Sequence, residues 1–193
     1  TAIGLLLIST VMIIVLVNKF KYIRIVTFCI TILILTIITI NNPIVKNRNI
    51  DTTLNQMQID DKLDNVVVFS NTHQKLYINS LNMFIENPLF GVGPKMYRKH
   101  CSDSVYEINE CSTHPHNSYI QLLAETGIIG FSFLLSLLLY FSFVILKQIY
   151  SLFFYKNRYI TDYQVCLVIG IFITLWPIAP TQSFFNNWIN IIY

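Results

Sequence analysis

Four long runs of apolar residues, each without Asp, Glu, Lys or Arg, divide the chain. They cover residues 1–18, 25–45, 126–146 and 163–193. Each run reaches the roughly 18–20 residues that a helix needs to cross the hydrocarbon core of a bilayer. The pattern predicts an all-α fold, namely a polytopic transmembrane helix bundle with spans at about residues 1–18, 25–40, 126–147 and 163–180. The residues after the fourth span are expected to form a tail or to begin a further span.

The composition agrees with a membrane protein. Of the 193 residues, 54% are hydrophobic and only 12% are charged, whereas a soluble domain has about 25% charged residues. These values exclude an ordinary soluble enzyme, a disordered chain and a collagen-like fibre. The net charge of +3 is too small for a nucleic-acid interface. Because the chain lacks an initiating Met and starts inside an apolar run, we expect it to be a fragment of a longer membrane protein.

Charged residues in the loops predict the orientation of the spans. Three Lys or Arg residues lie between positions 19 and 24, and three lie between positions 147 and 162 beside a single acid. Short basic loops stay on the cytoplasmic side, so both loops are predicted to be cytoplasmic. The long segment 41–122, with seven basic and eight acidic residues, is then predicted to lie on the outer face. It is the polar part of the chain and the expected place of any chemistry.

An amphipathic helix is predicted over residues 73–86 of this outer segment. Its expected apolar face follows helical spacing and holds Tyr77, Leu81, Phe84 and Ile85. Its opposite side holds Asn79, Asn82 and Glu86. Such a helix either lies flat on the membrane or packs over the transmembrane bundle.

Two of the four cysteines, Cys101 and Cys111, also lie in the outer segment. Disulfides form on the oxidising side of membranes, so we expect this pair to be bridged. The other two, Cys29 and Cys166, fall within apolar runs.

A glycine turn and a basic cluster follow the predicted helix. Gly91 and Gly93 stand in a Gly-Val-Gly-Pro sequence, where the backbone can approach a partner closely. The cluster behind the turn comprises Lys95, Arg98, Lys99 and His100. A solvated surface is the simpler explanation for such a cluster, and anion binding is the functional one. Arg48, just after the second span, has the position of a membrane-interface anchor.

The segment around His114 and His116 has the most specific chemistry. A capping-box pattern, Ser118 with Gln121, predicts that a helix starts directly after the histidines. The N-terminus of a helix attracts anions and disfavours imidazolium, so a histidine there is suited to act as a neutral base. A zinc site formed with Cys101, Cys111 or His100 is one alternative, and histidines with a purely structural role are the other.

Two sequence blocks resemble the O-antigen ligase and O-antigen polymerase superfamily of bacterial envelope membrane proteins. The first is Asn87-Pro-Leu-Phe-Gly-Val-Gly-Pro94, followed by Tyr97-Arg98. The second is His114-Pro-His-Asn-Ser-Tyr-Ile-Gln-Leu-Leu-Ala-Glu-Thr-Gly-Ile-Ile-Gly130. The ligase pattern of that family is matched in the second block at His116, Asn117, Gly127 and Gly130. A looser similarity appears in Trp176-Pro-Ile-Ala-Pro-Thr-Gln-Ser-Phe-Phe-Asn186.

The resemblance implies a GT-C-like, metal-independent, inverting glycosyltransferase of the bacterial inner membrane, with residues 41–122 as a large helical periplasmic loop. Its donor would be a polysaccharide on undecaprenyl diphosphate. A ligase transfers this polymer to lipid A–core, and a polymerase transfers it to another lipid-linked repeat. No cofactor or metal is implied. The fragment would be the C-terminal part of the enzyme and inactive alone.

The resemblance also implies roles for individual residues. His116 would assist the acceptor hydroxyl, and Arg98 would bind the diphosphate, with Arg48 as a less secure second arginine. The remaining candidates for diphosphate or sugar contacts are Lys95, His114 and Asn117. The motif glycines are Gly91, Gly93, Gly127 and Gly130. Family members often have an arginine near residues 73–75, and this chain has none there.

A non-catalytic membrane component, either a transporter or a polysaccharide-binding subunit, is the rival interpretation from another class. Transporters place ionisable residues inside their spans, and the four runs lack Asp, Glu, Lys and Arg. This observation favours the enzyme.

Overall fold

The computed structural model describes residues 2–47, 71–102, 111–179 and 181–186, and this part of the chain is helical and contains no strand. The helices are α1 (Ala2–Leu16), α2 (Lys21–Asn41), α3 (Pro43–Lys46), α4 (Asn71–Glu86), α5 (Tyr97–Ser102), α6 (Ser118–Phe154) and α7 (Asp162–Thr174). The all-α prediction is confirmed for the described residues.

Two of the described helices are long and apolar enough to cross a membrane. They are α2, with 21 residues, and α6, with 37 residues. α1 and α7 are apolar but have 15 and 13 residues, fewer than the roughly 17–25 residues of a transmembrane helix. The bundle of four spans and the periplasmic loop therefore stay predictions.

Residues 20–74 form a compact unit that contains α2 and α3. α2 has no buried residue, and a long, mostly apolar helix that the protein does not cover is typical of a membrane span. It ends at Asn41, two residues before Pro43, because the residue preceding a proline is displaced from helical geometry. The Asn42 side chain caps α3 by accepting the N–H groups of Ile44 and Val45 at 3.0 and 3.3 Å.

The second unit comprises residues 1–19 and 75–193. At one end of it, α1, α6 and α7 share an apolar core whose buried residues are Leu16, Val17, Ile145, Val165 and Ile169. Asp162 at the start of α7 accepts the backbone N–H groups of Asn18 and Lys19 at 3.1 Å and forms an ion pair with Arg158. These bonds connect the α6–α7 turn to the end of α1.

The connection between α6 and α7 is shorter than predicted. We expected a loop over residues 147–162, but α6 continues through Phe154 and leaves only residues 155–161. Gln148, 1% exposed, explains the close turn: its Oε1 accepts the N–H groups of Tyr159 and Ile160 at 2.9 and 3.0 Å. Gln148 therefore lies within the last turns of α6 and does not end the helix, although it is a polar residue in an apolar sequence.

At the other end of this unit, α4, α5 and α6 pack around Met83, Tyr97, Cys101 and Ala124. The predicted helix 73–86 is present as α4. The face that packs against the protein differs from the apolar face given by the spacing, and contact of that apolar face with the membrane stays a prediction. The buried side chains are Leu76, Asn79, Ser80 and Met83. By contrast, Leu81 is 41% and Ile85 71% exposed.

Polar side chains on the buried face of α4 have hydrogen-bond partners, and the partner of Asn79 lies on another helix. Asn79 Nδ2 donates to Cys101 Sγ at 3.6 Å, and Ser80 donates to its own helix, to the carbonyl of Leu76, at 2.7 Å. The small Ser80 side chain also permits close helix packing. Hydrophobic spacing alone assigns such positions to solvent.

Candidate functional site

The segment containing His116 and Asn117 forms the turn that starts α6. Asn117 is the N-cap: its Oδ1 accepts the N–H groups of Tyr119 and Ile120 at 3.0 and 3.1 Å. The capping box predicted at Ser118 is wrong by one residue, since residue 117 has the extended backbone of a cap (φ −147°, ψ 121°) and Asn caps as well as Ser. The Asn117 Oδ1 thus accepts two backbone N–H groups of α6.

His116 has a left-handed backbone, with φ of 58°. A non-glycine residue in this region costs about 1–2 kcal/mol and persists only where its surroundings fix it. The buried Pro115 precedes His116. The His116 carbonyl accepts the N–H of Thr181 at 3.0 Å. The backbone of His116 is therefore held on both sides, by Pro115 and by the bond from Thr181.

The ring of His114 packs against that of His116, with 4.2 Å between the ring centroids. Thr113 Oγ1 lies 3.0 Å from His114 Nδ1, while His114 Nε2 is buried and has no hydrogen-bond partner in the described structure. Burial lowers the pKa of His114, and the adjacent His116 lowers it further. The lowered pKa favours the neutral form of His114.

The segment 175–186, of which residues 175–179 and 181–186 are described, covers one side of this turn; we name it the C-terminal strap. The carbonyl of Pro177 accepts Asn117 Nδ2 at 2.6 Å, and the Leu175 carbonyl accepts the Tyr119 hydroxyl at 2.6 Å. The strap contains the whole of Trp176–Asn186, the segment whose similarity to the family is loosest. Its contacts place it directly against the start of α6.

Tyr77 of α4 also forms a hydrogen bond with the side chain of Asn117. Burial raises the pKa of Tyr77, and this bond offsets part of the shift. Helices α4 and α6 and the strap therefore meet at the cap residue.

The glycine turn docks on a kink in α6. Gly127 has φ 64° and ψ −158°, which interrupts the helix. The backbone groups near the kink bond to the turn: Val92 N–H donates to Ala124 O, Gly93 N–H to Glu125 O, and Ile128 N–H to Pro88 O, each at 2.9 Å. The kink thus turns backbone groups of α6 toward a partner outside the helix.

Gly91 and Gly127 permit this contact because neither has a side chain. A Cβ at Gly91 would overlap the backbone of Glu125 and Thr126, and a Cβ at Gly127 would overlap the backbone of Leu89 and Phe90. The two sequence blocks that resemble the family are therefore in contact through their glycines. Gly93 has φ 105°, and a Cβ at Gly130 would meet the Thr126 side chain.

Arg98 is the second residue of α5, a helix of six residues held at both ends. At its start, the Tyr97 N–H donates to Glu125 Oε1 at 2.8 Å. At its end, Cys101 forms a disulfide with Cys111, with 5.7 Å between the Cα atoms, and this is the pair expected from the sequence. Arg98 is exposed, as are Lys95 and Lys99.

Tyr97 anchors α5 to the core. Its side chain is fully buried, and its hydroxyl donates to the Leu76 carbonyl at 3.1 Å. Burial raises the pKa of Tyr97 to about 12, and the Glu125 carboxylate adds to the shift. The hydroxyl stays protonated, so this hydrogen bond persists over the physiological pH range.

The structure thus fastens the Arg98 helix and the His116 turn to the same stretch of α6, between Asn117 and Gly127. These ten residues span about 15 Å of helix. Arg48 lies outside the described residues, so its role stays a prediction. The disulfide removes the thiolates that the zinc alternative needed, and among the residues described no three His, Cys, Asp or Glu side chains form a metal-binding group.

The sequence assigns Gln121 to a capping box and does not predict that Gln121 and Glu125 are buried together, each 1% exposed. The sequence does offer one indication for Glu125: it is a charged residue directly before an uncharged run. Such a residue is either at the membrane surface or buried with partners, and the structure shows the second.

A family model described as O-antigen ligase matches residues 1–135. The match includes the glycine turn, α5, and the whole block from His114 to Gly130. No curated protein matches the chain. The family is membrane-associated, in agreement with the two long apolar helices. The chain belongs to the O-antigen ligase family.

Proposed function

We propose that the chain is the acceptor-activating and diphosphate-binding part of an O-antigen ligase that transfers a polysaccharide from undecaprenyl diphosphate to lipid A–core. The reaction takes place at the periplasmic face of the bacterial inner membrane. The observation that supports this most is the docking of the glycine turn on the α6 kink. Through it, the segment with Arg98 and the turn with His116 are attached to one helix.

In this proposal His116 is the general base. A sugar hydroxyl is a weak nucleophile, and a neutral imidazole within hydrogen-bond reach accepts its proton as the new bond forms. The acceptor oxygen attacks the anomeric carbon, the bond from that carbon to the diphosphate oxygen breaks, and the electron pair leaves with the diphosphate. A single displacement of this kind inverts the configuration at the anomeric carbon.

Arg98 binds the diphosphate in the same proposal. Negative charge grows on the leaving group, and a guanidinium matches it with two parallel hydrogen bonds. Arg98 is exposed on α5 and forms no ion pair among the described residues. Charge compensation by arginine requires no metal ion, which is why we propose a metal-independent reaction.

A gene deletion tests the function and separates the two enzyme types. We expect cells that lack the full-length protein to have bare lipid A–core, while finished polymer stays on the lipid carrier. A polymerase would instead leave lipid A–core capped with single repeats. Gel electrophoresis of the lipopolysaccharide distinguishes these patterns, and an unchanged ladder would rule out both enzymes in favour of a non-catalytic role.

Replacement of Arg98 tests the diphosphate contact. We expect Arg98→Ala to raise the KM for the lipid-linked donor about 10- to 100-fold, because a hydrogen bond to a charged group contributes about 1.5–3 kcal/mol. Arg98→Lys should recover only part of the loss, since an ammonium cannot make the paired contact. The measurement is donor titration of the full-length enzyme in nanodiscs.

Lys99→Ala is the matched control for Arg98→Ala, since Lys99 is the next residue of the same helix and is also exposed. It removes the same charge, and we expect a change in donor KM below about threefold, as for a surface ion contact. Equal effects of both variants would mean that the helix attracts the donor through charge alone.

A further inference from the structure

The buried side chains of Gln121 and Glu125 join three segments that are far apart in the sequence. Glu125 Oε1 accepts the Tyr97 N–H at 2.8 Å, and Glu125 Oε2 accepts Gln121 Nε2 at 2.9 Å. Gln121 Oε1 accepts the N–H of Phe184, in the C-terminal strap, at 2.8 Å. A continuous chain of hydrogen bonds thus runs from α5 through α6 to the strap.

This series of hydrogen bonds has a backbone N–H group at each end, that of Tyr97 and that of Phe184. A backbone N–H can only donate. The Phe184 N–H fixes the orientation of the Gln121 amide: its oxygen faces the strap and its NH₂ group faces Glu125. Gln121 Nε2 also lies 3.0 Å from Ser183 Oγ. The orientation of every member is therefore determined from the two ends.

Residue 125 consequently receives a donor at each of its two terminal atoms. A carboxyl group can accept at both oxygens, whereas an amide would place one NH₂ group against a donor. Rotating the Gln121 amide would not help, because its NH₂ group would then face the Phe184 N–H. Burial raises the pKa of Glu125, and hydrogen bonds from the Tyr97 backbone, the Gln121 side chain and the Lys95 backbone oppose that rise. In the described part of the chain Glu125 forms no salt bridge, so N–H donors stabilise the buried carboxyl group.

We propose that Glu125 and Gln121 are positioning residues for the transfer reaction. They hold the start of the Arg98 helix, and the strap that fixes the His116 backbone, in register on α6. Glu125 bonds to Tyr97, the residue before Arg98, and the strap residue Thr181 bonds to the His116 carbonyl. The reaction itself is that of the proposed function, on which this role rests.

Exchanging the two side chains tests the proposal. Glu125→Gln alone and Gln121→Glu alone should each raise the donor KM about tenfold. The first places two hydrogen-bond donors in contact inside the protein, and the second places two acceptors in contact. The double variant Gln121→Glu/Glu125→Gln restores the match. The carboxylate at position 121 accepts from Phe184 and from the amide at position 125, whose oxygen accepts from Tyr97. We expect its donor KM to return to within about threefold of the native value.

The measurements are donor KM, kcat and the thermal unfolding midpoint of the full-length protein in nanodiscs. Gln148→Glu is the matched control, since Gln148 is 1% exposed in the same helix and contacts neither α5 nor the strap. It should lower the unfolding midpoint and leave donor KM unchanged. If Glu125→Gln behaves like this control, the positioning role is refuted and a structural one remains.

The double variant gives the decisive result. A double variant with a KM and an unfolding midpoint as poor as those of the single variants overturns the hydrogen-bond pattern itself. Recovery of the midpoint without recovery of KM overturns the positioning role. If the protein transfers no polysaccharide at all, the proposed function fails, and recovery of the unfolding midpoint in the double variant still tests the pattern.

Discussion

Replacement of His116 by asparagine is expected to lower the kcat of polysaccharide transfer about 10²- to 10⁴-fold, the usual contribution of a general base. Asparagine is the informative substitution because residue 116 has φ of 58°, and asparagine tolerates this left-handed conformation better than alanine. It keeps a polar side chain but cannot accept a proton at neutral pH. The loss should appear in kcat, with the donor KM changed by less than about threefold, because the base acts mainly in the transition state.

His116→Gly is the matched control for the backbone. Glycine adopts positive φ without strain, so this variant keeps the bond from Thr181 to the residue 116 carbonyl and lacks only the ring. Both variants should lose kcat to the same extent and keep their unfolding midpoints within about 3 °C. If either retains native kcat in the full-length enzyme, the histidine is not the base, and the non-catalytic interpretation gains support.

The start of α6 shows what the sequence allows one to predict. A helix was expected directly after the histidines, and the structure has it. The cap was assigned to Ser118, although Asn117 performs it, because both residue types cap helices equally well. The choice between them depends on the strap: its Pro177 carbonyl accepts the Asn117 amide, and its Thr181 hydroxyl accepts the Ser118 hydroxyl. No local pattern contains this long-range information.

The glycines show a similar limit. Gly91, Gly93 and Gly127 were identified from motif spacing, and a turn at Gly91 was expected. The sequence does not predict that Gly91 contacts the segment of Gly127 and that Gly127 contacts the segment of Gly91. The two glycines are far apart in the sequence, and Gly127 lies inside an apolar helix. Likewise, the buried face of α4 depends on partners for Asn79 that belong to another helix. Periodicity locates an element but does not identify what covers it.

The contact of these two glycines leads to the second large effect. Gly127→Ala is expected to destabilise the protein by about 3–6 kcal/mol. Its backbone angles of φ 64° and ψ −158° belong almost solely to glycine, and the added Cβ would overlap the backbone of Leu89, which cannot rotate away as a side chain would. The glycine turn must then leave α6 and lose its three backbone hydrogen bonds.

Gly170→Ala is the matched control, since Gly170 lies in α7 and a Cβ there meets no atom within 4 Å. Alanine is the better helix former by about 1 kcal/mol, so this variant should unfold at the native temperature or slightly above. Thermal unfolding of the full-length protein in detergent gives the stabilities, and hydrogen exchange of residues 88–97 reports on the turn. We expect exchange to accelerate there in Gly127→Ala alone. Equal midpoints and equal exchange in the two variants would show that the turn does not depend on the kink, and that the Arg98 segment is held on α6 by Glu125 and the disulfide without it.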